Sequence, residues 1–138
     1  MEYRISHRIK RQAILHRNQP PRYTAIIHEA ALRMRFGGPE VARAQLEHLA
    51  EMSEHPYITV RVIPFDGTAF PTVGHGLDYA YGPVRALDTA QLDAAHGSEL
   101  IDSVAQLAKY RLVLDHMQEV TLEPETSLDL IHRIAQDI

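Results

Sequence analysis

The chain has 138 residues, 45% hydrophobic and 23% charged, the balance of a folded globular domain, which excludes a disordered or fibrous chain. It contains no cysteine, which removes disulfide scaffolds, thiolate zinc sites and cysteine nucleophiles together. Its net charge of −4 hides a division: residues 1–38 carry eight basic and two acidic side chains (net +6), and the remainder is net −10.

Residues 2–18 are predicted to form a helix, because Ile5, Ile9 and Ala13 recur at helical spacing among Arg, Lys and His, with Ile14 and Leu15 widening the stripe. Pro20-Pro21 ends it. A short strand is expected over 23–27 and a helical turn over 29–36, stopped by Gly37-Gly38. Pro39 suits a first helical position and Glu40 the positive end of the dipole, so a helix follows over 39–54. The β-branched run 57–65 is the clearest strand and the expected centre of a sheet. Residues 66–76 read as a loop, Leu77–Tyr81 as an edge strand, and Val84–Leu92 as a weaker second strand. Ser98 fits an N-cap for a long helix to about Val120, and Pro124 opens a last helix burying Leu128, Ile131, Ile134, Ala135 and Ile138. The alternation implies an α/β fold, with α+β the variant: a small mixed sheet with helices 39–54 and 99–120 packed on it, in a single domain 1–138.

Chemical motifs are sparse. His28-Glu29 lacks the second histidine of a metalloprotease helix, and His48 and His55 lie two helical turns apart, so neither a metal site nor a cofactor is expected. Ser98 is followed by Glu99 and Leu100 and lacks the glycine two positions before it that a nucleophile elbow needs. His75 in the long loop, with Asp93, His96 and Ser98, is the candidate contact site for a ligand or partner. Converging in one pocket, the same four side chains would instead serve a small hydrolase.

Eight segments in order carry a resemblance: Arg11-Gln12 with Ile14-Leu15, then Ile27–Arg33, Gly37–Val41, Gln45–Leu49, Val60–Phe65, Asp93–Ser98, Tyr110-Arg111, and Leu122–Ser127 with Ile131. The chain resembles the C-terminal domain, of unknown function, of antitoxin-like helix-turn-helix transcriptional regulators of filamentous soil bacteria. The resemblance implies a non-enzymatic regulatory domain that binds a small partner protein or ligand and couples it to a DNA-binding head. That head does not stand in this sequence, so no sequence-specific DNA binding is expected of the chain alone. No catalytic residues carry over. A cytoplasmic protein with no membrane role is expected, since no apolar run nears the ~20 residues of a spanning helix and no secretory signal is visible. Ile5, Ile9 and Ala13 mark the first helix as an association element, with a homodimer as its expected assembly.

Overall fold

The computed structural model describes residues 2–71, 74–94 and 97–138. The fold is mixed α and β, and its residues gather into two compact units: residues 1–62 with 123–138, and residues 63–122.

In the first unit, α1 (Glu2–Gln12) runs into a 3-10 turn, Ala13–His16, and β1 (Tyr23–His28) leads directly into the short α2 (Glu29–Arg33). His28 caps α2, its Nδ1 accepting the Ala30 N–H at 3.1 Å. Gly37 and Gly38 have φ of +82° and +95°, conformations that cost a side-chain-bearing residue energy, and they turn the chain into Pro39 at the start of α3 (Pro39–Ser53). β2 (Ile58–Ile63) then pairs with β1. The Tyr23 N–H donates to the Tyr57 carbonyl at 2.8 Å, so the two strand starts lie side by side, as a helical crossover permits. α5 (Pro124–Gln136) closes the unit by packing on α3 and α2.

The core follows from periodicity. Ala42, Leu46 and Ala50 recur every four residues on α3, and Leu130, Ile131 and Ile134 form the buried stripe of α5. Val60 and Val62 of β2 are buried with them. The carbonyl end of α5 is served by two guanidinium groups: Arg43 donates to the Ala135 carbonyl at 3.5 Å and Arg35 to the Asp137 carbonyl at 3.3 Å.

The second unit is a three-stranded antiparallel sheet backed by one helix. Its strands are β3 (Gly76–Ala80), β4 (Thr89–Ala94) and β5 (Gly97–Ile101), in the order β3-β4-β5, and the helix is α4 (Val104–Val120). Ala90, Leu92, Ile101 and Leu107 form its core, with Leu77, Tyr79 and Tyr110 packed against them.

Three expectations are corrected. The long helix does not begin at Ser98: residues 97–101 pair with β4 as β5, and α4 starts at Val104 after Ser103. Its Leu107 packs on β4 and β5. Ile58, Val60, Val62 and Ile63 of the run 57–65 are buried, but the strand is not central: among the described residues β2 has one strand neighbour, and its Val62 N–H is taken by the Ser127 hydroxyl of α5 instead. The weak strand 84–92 divides into a 3-10 turn, Arg85–Leu87, and the start of β4.

Ser127 is fully buried, and its Oγ lies 3.0 Å from the Val62 nitrogen. Ser127→Ala strands that N–H away from water and should lower unfolding free energy by about 1–3 kcal/mol, read in urea titration. A midpoint unchanged from the parent would show that the bond contributes nothing.

Candidate functional site

Antiparallel pairing decides which side chains of the second unit share a face, because alternate residues point to opposite sides. The register sets Leu77 beside Leu92, Tyr79 beside Ala90 and Ala90 beside Ile101, and these face the core. The intervening residues form the outer face. There Asp78 stands beside Gln91 and Gln91 beside Leu100, and in the next row Gly76 pairs with Asp93 and Asp93 with Ser98. Asp93 and Ser98 are exposed, and Leu100 is 71% exposed, a large apolar side chain open to solvent.

Of the residues singled out from the sequence, Asp93 and Ser98 therefore stand directly opposite one another. A cross-strand pair, not a helix entry, joins them. His75 is exposed and immediately precedes Gly76, the β3 partner of Asp93. His96 lies outside the described residues. Across the sheet the order is β3, β4, β5, so Asp93 lies between the His75 end of β3 and Ser98. A Ser-His-Asp relay needs the histidine in the middle, to take the serine proton while the carboxylate orients the ring. With strands ~4.8 Å apart, Gly76 and Ser98 are separated by about 10 Å of backbone, and the described residues do not set out that relay. Asp93 accepts one weak bond, from Gln91 Nε2 at 3.4 Å. Among the described residues no group of three or more His, Cys, Asp or Glu is placed to hold a metal ion.

On the opposite side of the sheet lies a cluster that the sequence reading missed. Asp88 is buried, and its carboxylate is surrounded by donors. Tyr79 Oη donates to its Oδ2 at 2.7 Å, Arg111 Nε to the same oxygen at 3.0 Å, and the Gly82 N–H to Oδ1 at 2.9 Å, while Arg111 Nη2 completes an ion pair. Arg111 Nε also donates to Tyr79 Oη at 2.8 Å. The guanidinium lies 5.0 Å from the Tyr81 ring centroid and 5.6 Å from that of Tyr79. With both carboxylate oxygens engaged, Asp88 is an anchor and not a general base: it fastens the 81–88 loop and α4 to β3. Gly82 is required for this approach, since a Cβ there would sit 2.7 Å from the backbone carbonyl of Leu87. The signal was present in the sequence as a lone carboxylate between Leu87 and Thr89, inside a run read as an apolar strand.

The hydroxyl of Tyr79 holds the Asp88 carboxyl below the ordinary carboxylate range, aided by Arg111 and the Gly82 N–H and opposed by burial. Burial pushes the Tyr79 phenol up, with the Asp88 carboxylate adding to it. A lowered acid favours the fold above its unfolded value near ~3.9 and withdraws that support as pH falls through the lowered value. The raised phenol does the reverse: its support is complete below ~10 and lost at higher pH. Asp88→Asn should thus destabilise the second unit at neutral pH and flatten its loss of stability on the acid side, read from tyrosine near-ultraviolet circular dichroism. An acid midpoint and slope identical to the parent's would contradict this role.

In the first unit α1 presents apolar side chains to solvent, as do Met34, Phe36 and Val41. Ile5 is 53% and Ile9 61% exposed, and with Ser6 and Lys10 they line a shallow open groove. Ala13 lies beyond the helix, in the 3-10 turn, and is also exposed. Among the described residues no helix is long and apolar enough to cross a membrane. A family model described as a domain of unknown function, DUF5753, matches residues 1–133, and no curated protein and no solved structure matches the chain.

Proposed function

From a chain that belongs to the DUF5753 family, we propose a non-enzymatic regulatory domain of a transcriptional regulator, which takes a protein partner and couples its binding to a DNA-binding head. One observation carries this reading: the outer face of the β3-β4-β5 sheet is open, with Leu100 71% exposed beside Gln91 and next to the Asp93–Ser98 pair. An apolar side chain bordered by polar and acidic groups on a flat sheet suits a protein contact, which needs an apolar centre and a polar rim. Small-molecule catalysis needs convergent groups in a concave site. The rigid sheet, pinned on its core side by Asp88 and Arg111, holds such a face in one shape for recognition. The cytoplasm is the setting that this role requires.

The test has two arms. Titrated with unrelated duplexes at physiological salt, the chain alone should show no sequence preference, leaving only weak, salt-sensitive attachment through its basic residues 1–38. Within a full-length regulator, Asp93→Lys with Leu100→Glu should change transcription from a reporter promoter by several-fold while leaving the head's affinity for that promoter unchanged. Tight discrimination of one duplex by the chain alone, or a reporter indifferent to the paired substitution, would sink the proposal.

A further inference from the structure

Two uncovered surfaces of opposite charge lie on this chain, one in each unit. The first is α1. Its eleven residues carry Arg4, Arg8, Lys10 and Arg11 against Glu2, a net +3, and Ile5 and Ile9 stand exposed one turn apart. At 100° per residue, Arg8 and Lys10 fall on opposite flanks of that isoleucine pair. The second is the outer sheet face, where Leu100 is exposed and Asp78 and Asp93 supply acid. The unit that bears it has eight acidic and three basic side chains, a net −5.

The occupant of α1 is constrained by its charge. Two copies of α1 laid against each other would bring eight basic side chains together around four isoleucines, and like charges in contact oppose pairing. An apolar surface with an acidic rim removes that cost. Dimensions agree as well: an 11-residue helix is about 16 Å long at ~1.5 Å per residue, and a five-residue strand runs about 17 Å at ~3.4 Å per residue. Three strands spaced ~4.8 Å give a platform about 10 Å wide, the diameter of one helix.

We propose that α1 of one chain lies along the outer face of the β3-β4-β5 sheet of a second copy, with Ile5 and Ile9 over Leu100 and Arg8 and Lys10 against the acidic face that bears Asp93. The exchange is reciprocal, so two such contacts form around one two-fold axis. It rests on the reading of that sheet as a contact face and names the partner: a second copy of this chain. A two-fold assembly also has the symmetry with which paired DNA-binding heads meet two half-sites.

The experiment is a charge exchange read by sedimentation of the full chain. The parent should sediment as a dimer and shift towards monomer as salt rises from about 0.05 to 0.5 M, since the contacts are between exposed charges. Arg8→Glu with Lys10→Glu, and separately Asp93→Lys with Ser98→Lys, should each give a monomer with unchanged far-ultraviolet circular dichroism. Mixed in equal amounts, the two variants should recover the dimer mass, because each acidic helix then meets a basic sheet and each basic helix an acidic one. If the second variant is unfolded, Asp93→Lys alone takes its place in the mixture. A parent that stays monomeric at high concentration overturns the proposal, as does a mixture that remains monomeric. So does a dimer that survives the sheet substitutions, which would place α1 elsewhere. In any of these outcomes a reporter still sensitive to Asp93 and Leu100 shows that the contact face stands and that only its occupant was wrong.

Discussion

Everything in the first unit depends on how the chain leaves it and comes back. It departs at Val62 and returns at Glu123, and two bonds fasten these points to each other. Arg61 Nη2 lies 3.0 Å from Glu123 Oε1, and the Val62 N–H meets the buried hydroxyl of Ser127. The ion pair is exposed on its glutamate side and contributes little by itself, because water screens it. The buried bond is different: it supplies the acceptor that a further strand would otherwise give to β2, and so a two-stranded sheet ends at a helix without an orphaned amide. α5 can then lay Leu130, Ile131 and Ile134 into the core beside Ala42, Leu46 and Ala50.

The second unit solves a comparable problem with charge. A three-stranded sheet and one helix bury few large side chains, and the core here is Ala90, Leu92, Ile101 and Leu107. Asp88, Arg111 and Tyr79 add a fully partnered polar knot beside it. Burying a carboxylate is costly unless donors surround it, and here the phenol, guanidinium and amide do so. The knot joins three elements distant in sequence, which fixes the sheet that presents Asp93, Ser98 and Leu100.

Local patterning made much of this legible. Helical spacing in α3 and α5 and the β-branched run of β2 report directly on burial, and Gly37-Gly38-Pro39 marks its turn by backbone chemistry alone. Ser98 misled because an extended residue after glycine satisfies an N-cap and a strand start equally well, and only the partner strand decides between them. The pairing that sets Asp93 opposite Ser98 is a matter of register, which depends on residues across the hairpin. The Asp88 cluster showed in the sequence only as a lone carboxylate, for a related reason: Tyr79, Asp88 and Arg111 are separated by 9 and 23 positions, and no local rule connects them. The exposure of Ile5 and Ile9 reflects what does not cover α1, and a stripe by itself cannot tell a buried face from a docking face.

The split of the first unit across the ends of the chain also orders events during synthesis. Residues 63–122 hold all of the second unit's strands, its helix and its polar knot, so that unit is complete in sequence before α5 has been made. The first unit cannot close its core until Ser127, Ile131 and Ile134 leave the ribosome. At ~5–20 residues per second, β1, β2 and α3 therefore wait for several seconds with their apolar faces open. The inserted unit is complete in sequence first although it lies second, and over that interval the apolar faces of the early strands have no α5 to cover them.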